Sequence, residues 1–352
     1  MGNPFEITDT YTLMATVENI RAPETFLIDK FFPNRQSVLS DYFAIEYREA
    51  HRSLAPAVVR DSGGVNIGRD KSRIARYSIP TFGAKRVIGI DDLRQRQFGE
   101  EFIFSKTTPA ERQAKMQAQD LVDLLRLHAN RRNKVAADIL TTGKTTIKAY
   151  ADDGRVIEQE EVDFGWNGQV TPSVDWTDSD ATIYDDLYAV SEAIQESTST
   201  IPTLAICGKK FEQCLLSNKQ LREWIIVPNR ENLTMVNVQP HFTSAQARHI
   251  CTIPALSLDI VGYYATYRDD DGQVKPFIPD DVMIVGNAGR GTVYYGPVTL
   301  LNESGQFETY GAEYVPYYSK NPDARTISLT VYSRFLPVPQ LLSDWKCIKF
   351  SS

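Results

Sequence analysis

At 352 residues the chain exceeds the size at which one hydrophobic core usually stops growing, so two subdomains are expected. Hydrophobic residues make up 42% and charged residues 24%. That is the composition of a soluble globular protein, and no apolar run approaches the roughly 18 residues of a membrane-spanning helix. The net charge of −7 argues against a protein whose first task is gripping nucleic acid through its phosphates, because that task needs a basic face.

The opening residues, Met1 to Glu6, carry neither a basic region nor an apolar stretch, so no secretory signal is expected. Residues 1–50 mix short apolar clusters with polar spacers, and Phe26-Leu27-Ile28 and Phe31-Phe32-Pro33 stand out. Pro33 forbids an uninterrupted helix there, which leaves an extended or short-helical arm. Residues 54–90 follow no helical period. Arg60-Asp61-Ser62-Gly63-Gly64 forms a turn, and Pro80 and Gly83 interrupt what surrounds them. Ile74–Ile79 and Lys85–Ile90 are the two strands expected of a long, polar hairpin. So little apolar surface makes such a hairpin marginal alone, and it calls for a partner surface.

The clearest helix follows. Thr108 serves as N-cap, Pro109 suits the first turn, and Glu111 completes a capping box with Thr108. Met116, Leu121, Leu124, Leu125, His128, Val135, Ile139 and Leu140 then fall on a three-to-four spacing, and Gly143 closes the segment. Arg112, Lys115, Asp120, Arg126, Arg131, Arg132 and Lys134 are assigned to a solvated or partner-contacting side. Such a rod is roughly 50 Å long, more than the width of a small domain.

Thr145–Val162 is expected as a hairpin turning at Asp153-Gly154. A polar linker, 171–180, leads to an amphipathic helix marked by Ile183, Leu187, Val190 and Ile194. Thr203–Gly208 is a buried-strand candidate, Lys209–Trp224 supplies short helices, and a second hairpin turns at Asp271-Gly272. Val282–Gly286 is another buried strand. Ile327, Leu329, Val331 and Phe335 alternate with polar residues, as in a long strand with one face buried.

Charge is unevenly placed. Residues 52–86 hold eight basic side chains against two acidic ones, whereas 151–186 hold eleven acidic side chains against Arg155 alone. Either copies of the chain steer together through these segments, or they are two unrelated solvated faces. Cys207, Cys214, Cys251 and Cys347 form no CxxC pair and are expected as reduced, buried apolar groups. His51, His128, His241 and His249 show no metal-ligand spacing, and no GxSxG nucleophile elbow is present. Gly286–Gly291 is glycine-rich but fits no phosphate-loop pattern, so a tight turn is expected. Asp269, Asp270 and Asp271 fail the register of a calcium loop and are assigned to turn chemistry. No catalytic constellation and no cofactor site emerge.

The order of elements resembles the Hong Kong 97-type capsid fold, and local sequences are similar to its lambda-type branch, the phage major capsid protein E family. Phe277–Asn287 resembles a family segment with Phe-Leu-Pro-Asp, an apolar strand and Gly-Asn. Lys320–Arg325, the alternating strand and Pro337–Leu342 resemble the family C-terminus. Glu160–Gly165 resembles the end of the acidic hairpin, and Phe31-Phe32 and Arg60–Gly64 resemble the arm and loop.

The resemblance implies an α+β fold with an N-terminal arm (1–50), an extended E-loop hairpin (51–92), a P domain (93–170), an A domain (171–305) and a P-domain return strand with the C-terminus (306–352). Spine helix 108–141 and hairpin 144–165 belong to the P domain in this division, and 144–165 and 310–336 share its long sheet. It further implies a structural, non-enzymatic major head protein of a tailed double-stranded DNA phage, building hexamers and pentamers of an icosahedral shell. The site it implies is a contact between copies through Phe26, Leu27, Phe31 and Phe32, buried only in the assembly. Basic Arg60, Arg69, Lys71, Arg73, Arg76, Lys85 and Arg86 would meet acidic Glu158, Glu160 and Glu161 of a neighbour. Expected partners are further copies, portal and scaffold proteins during assembly and packaged DNA through non-specific inner-face contact. A decoration protein is left open, and no membrane or cofactor is expected. The location is the virion, after synthesis and assembly in the host bacterial cytoplasm. A tail-tube subunit, and a metal-assisted hydrolase built on Asp269–Asp271, are the alternatives.

Overall fold

The computed structural model describes residues 25–48, 72–94, 109–150, 156–220, 246–302 and 305–350, together with positions 14, 17, 241, 242 and 244. Pro109–Thr142 forms one helix of 34 residues, and Gly143 ends it. Thr108, the expected N-cap, lies outside the described residues. Leu121, Leu124, Leu125, His128, Val135, Ile139 and Leu140 are buried as their spacing requires. Asp120 and Arg132 depart from the expectation: both were assigned to the solvated side, and both are buried. Arg132 stands four residues beyond His128 and four before Ala136, within the apolar stripe, so helical geometry carries it inward despite its charge.

Two main sheets flank this helix. The first has five strands. Its centre is the 13-residue strand Thr326–Val338, paired with Thr81–Ile88, Val315–Asn321 and Thr292–Tyr295, and Asn34–Ser37 adds to the last of these in parallel. The second has seven strands in the order Gln169–Val170, Trp345–Lys349, Val282–Gly286, Leu204–Cys207, Leu258–Tyr263, Ala247–Ile253 and His241–Phe242.

Both faces of the seven-stranded sheet are covered. Leu204, Ile206, Val282 and Ile284 face the core shared with the long helix and with the short N-terminal helix Phe26–Phe31. Ala205, Cys207, Met283 and Val285 face a second core closed by the helices Ile183–Thr198 and Lys210–Ser217. Burial on two sides is why Leu204–Cys207 and Val282–Gly286 are unbroken apolar runs rather than alternating ones. Gly208 lies where this sheet meets the Pro279-Asp280 turn, and a Cβ there would stand 2.2 Å from the Pro279 carbonyl oxygen and 2.6 Å from the Asp280 Cα. Backbone cannot yield as a side-chain tip does. Gly208→Ala is therefore expected to cost about 1–3 kcal/mol, measured as a lower urea midpoint at unchanged slope.

Three expectations are corrected here. Ser72–Ser78 and Thr81–Ile88 do not pair with each other: the first pairs with Tyr42–Arg48, the second with Thr326–Val338. Only Ile79-Pro80 separates them, and a two-residue hairpin needs positive φ that proline cannot adopt. The segments 144–165 and 310–336 do not share a sheet, because Lys144–Tyr150 and Val156–Asp163 form a hairpin of their own. Trp345–Lys349 joins the sheet of the 171–305 segment, with Trp345 and Cys347 entering one core and Ile348 the other, which draws this strand between the two layers. Among the described residues the hairpin expected at Asp271-Gly272 is present, with Thr266–Arg268 paired to Val274–Pro276, whereas the expected turns at Arg60–Gly64 and Asp153-Gly154 and residues 221–224 lie outside the described residues.

Candidate assembly surface

Tyr42–Arg48 and Ser72–Ser78 form an antiparallel two-stranded ribbon in seven-residue register, and among the described residues neither strand pairs with another sheet. Aromatic packing ties the ribbon's root to the body. Phe43 stacks on Tyr294 with ring centroids 4.7 Å apart, and Tyr77 packs on Phe164 at 4.9 Å. The Ile79 amide donates to the Asp41 carbonyl at 3.3 Å, closing the root. Beside it stands the acidic strand Val156–Asp163, whose residues 156–161 are all exposed. Tyr42, Phe43, Ala44, Arg76 and Ser78 of the ribbon face Glu158, Gln159 and Glu160 across an open trough of about 850 Å³. Ser78 donates a hydrogen bond to Glu160 there.

The residues expected to contact a neighbour fall into four groups. Phe26, Leu27, Phe31 and Phe32 are 5%, 0%, 5% and 1% exposed within the single chain, which corrects the expectation that a neighbour must cover them. The physical reason is a complete seat. Phe26 stacks on Tyr263 at 5.2 Å, and the amides of Gly289 and Gly291 donate to the carbonyls of Lys30 and Phe31 at 2.7 and 2.8 Å. The glycine-rich turn thus receives the end of the short helix, and at Gly291 a Cβ would lie 2.2 Å from the Phe32 ring.

Arg60, Arg69 and Lys71 lie outside the described residues, and of Arg73 only the backbone is described, opposite Tyr47 in the ribbon. Arg76 and Lys85 are exposed. Arg86 is turned onto the long helix, 2.6 Å from Asp120 and 3.1 Å from Asp123, so its charge is met within its own chain. Hydrogen bonding to Asp120 holds its guanidinium firmly protonated. Glu158, Glu160 and Glu161 lie along the exposed strand, with Glu161 3.5 Å from Lys144.

A different residue, expected on the solvated side, forms a buried polar node. Arg132 is 2% exposed and donates to Tyr295 Oη at 2.7 Å, to Tyr314 Oη and to Glu313, while its guanidinium lies 5.0 Å from the centre of the Tyr314 ring. Glu313 also takes Arg35 at 2.7 Å. The node joins the long helix, the strand Thr292–Tyr295, the residues just before the strand Val315–Asn321 and the strand Asn34–Ser37. The sequence signal for it was the stripe position itself, where a charge has to be paired once buried.

The remaining polar groups are occupied structurally. Asp269 pairs with Lys275, and Asp270 accepts from Arg131 at 3.3 Å and from Tyr150 at 2.5 Å. Burial pushes the Cys251 and Cys347 thiols up to about 12, which keeps them protonated and poor nucleophiles. Among the described residues no group of three or more His, Cys, Asp or Glu side chains is placed to hold a metal ion, and no helix is long and apolar enough to cross a membrane.

A long helix laid along a long central strand, a separate α/β layer and a protruding ribbon define a shell-forming fold. It is shared with a crystal structure of a protein assigned as the capsid protein of a prophage in Escherichia coli CFT073: TM-score 0.68 at 17% identity, covering 97% of this chain and 99% of that one. A phage-related protein from Bordetella bronchiseptica RB50 is similar at TM-score 0.55 and 14% identity, with 98% of each chain covered. The family model for phage major capsid protein E matches residues 9–343, and the chain belongs to that family. It is a self-assembling structural subunit of the head shell of a tailed double-stranded DNA phage. No curated protein matches the chain in sequence.

Proposed function

We propose that copies of the chain join into the hexamers and pentamers of the shell by laying the ribbon of one copy on the acidic hairpin of the next. The observation that carries this reading is the trough at the ribbon's root, where a basic strand and the exposed strand Val156–Asp163 stand side by side, each paired with one strand only among the described residues. Arg60, Arg69, Lys71, Arg73, Arg76 and Lys85 supply the positive side, and Glu158, Glu160 and Glu161 the negative one. Exposed pairs contribute about 0–1 kcal/mol each, so their part is register and salt dependence rather than affinity.

In this reading the chain does no chemistry, and portal and scaffold proteins act on it during assembly. DNA meets only its inner face without sequence preference, the outer face is left open to a decoration protein, and assembly takes place in the host cytoplasm before the chain resides in the virion. The test is negative-stain imaging of the protein expressed alone. Closed particles are expected, and tubes or permanently monomeric protein would refute the reading. Glu158→Lys, Glu160→Lys and Glu161→Lys together are expected to cut particle yield at low ionic strength and to recover part of it near 0.5 M salt, where screening acts within about 4–5 Å. Equal yield to the parent at every ionic strength would remove the acidic hairpin from the contact.

A further inference from the structure

We infer that Arg334 is the pin that fixes the pitch of the ribbon against the body of the subunit, and so is a positioning residue for shell curvature. The inference rests on the reading that the ribbon reaches a neighbouring copy.

The geometry is specific to one side chain. Arg334 lies in the central strand Thr326–Val338, its side chain is 15% exposed, and its guanidinium reaches three separate segments. Nη1 donates to Asp41 Oδ1 at 2.5 Å, immediately before the first ribbon strand. Nη2 and Nε donate to the Ile79 carbonyl at 2.9 and 3.3 Å, immediately after the second. Nη1 also donates to the Pro297 carbonyl at 2.8 Å, in the turn that follows Thr292–Tyr295.

Both ends of the ribbon are therefore held by one planar group that is itself seated in a central strand. The Arg334 backbone is fixed as well, pairing with Thr81 and accepting from the Gly296 amide at 3.0 Å. The Ile79 side chain, 2% exposed, packs against Gly296. A two-stranded ribbon without a third strand has little stiffness across its plane, so its direction is set where it leaves the body.

The guanidinium fork matters more than its charge. Asp41 is 66% exposed, and an ion pair so open to water contributes little. Donors pointing in one plane at two carbonyls and a carboxylate hold an orientation, which a lysine ammonium on a flexible stem does not reproduce. A small change of ribbon pitch, repeated in every subunit, alters the angle between neighbours. The expected consequence is a change in particle diameter rather than a loss of the folded subunit.

The experiment compares Arg334→Lys and Arg334→Gln with the parent protein by hydrogen exchange of the unassembled subunit and by the diameter distribution of particles formed by the full chain. Expected are at least ten-fold faster amide exchange at residues 42–44 and 76–79, unchanged exchange in Leu204–Cys207, and particles of broadened or shifted diameter. Two results would overturn the pin. One is faster exchange in Leu204–Cys207 as well, which makes Arg334 a general stabiliser. The other is particles of parental diameter despite a loosened root, which removes any effect on curvature. If the parent itself forms no closed particles, the assembly reading fails separately, while the exchange arm still reports whether the root is pinned.

Discussion

Arg132→Ala is expected to destabilise the folded subunit by about 3 kcal/mol, the lower end of the 3–5 kcal/mol typical when one partner of a buried ion pair is removed. Three groups lose a donor at once. The hydroxyls of Tyr295 and Tyr314 accept from Arg132 in a buried site, and Glu313 is left with Arg35, which is half exposed. Glu313 keeps 23% of its side chain in water, which is why the lower end applies. Burial of Tyr314 also pushes its phenol well above the ordinary value, so it cannot ionise to adapt. Arg132→Met separates the contributions. It restores most of the lost volume but none of the hydrogen bonds, so a methionine variant as stable as the parent would show that the node fills space only. Urea unfolding of the unassembled subunit provides the measurement.

The second large effect is a pH dependence centred on His128. This ring is 3% exposed, its Nε2 lies 2.8 Å from the Val331 carbonyl oxygen, and it sits one helical turn from Arg132. Desolvation first, with Arg132 and Arg131 adding repulsion, pulls its pKa down from 6.5 to about 4, while the hydrogen bond to Val331 opposes that shift. The sign follows from proton counting. Between those values the unfolded chain binds a proton that the folded chain refuses, so stability falls as pH drops from about 6.5 toward 4 and is flat above that window. At roughly 1.4 kcal/mol per pH unit this amounts to about 3 kcal/mol across the window, of which about 2 kcal/mol is lost by pH 5. His128→Gln keeps a donor for Val331 and is expected to flatten the dependence. A His128 imidazole that titrates near 6.5 by NMR in the folded subunit would sink the claim. The two predictions are coupled: Arg132→Ala removes a neighbouring positive charge, so the His128 pKa should rise and the window narrow.

Much of this was legible from local pattern. The three-to-four spacing from Leu121 to Leu140 marked the long helix, and period two marked Thr326–Val338, because each element has to hide one side and its repeat sets which residues share it. Apolar runs such as Val282–Gly286 announced strands covered on both faces. The acidic hairpin was equally visible from its Asp-Gly turn signal, and the described strands on either side of that signal pair with each other. Collinear motifs then supported a capsid fold, which the family match over residues 9–343 bears out.

What the chain's own pattern determined, then, was the set of elements, their order and the faces that must be covered. Only the tertiary structure decided the partners. Thr81–Ile88 has eight register partners in Thr326–Val338, some 240 residues away in sequence, and nothing in either strand names the other. The phenylalanines 26, 31 and 32 needed covering, but periodicity cannot say whether the cover is the same molecule or the next, and here it is the same one. Arg132 read as a solvated cation, and Arg334 was one of the polar residues alternating along its strand, until distant carbonyls, hydroxyls and carboxylates converge on them. A side chain's partners depend on which backbone segments the topology brings within about 3 Å, and that distance is a property of the whole fold.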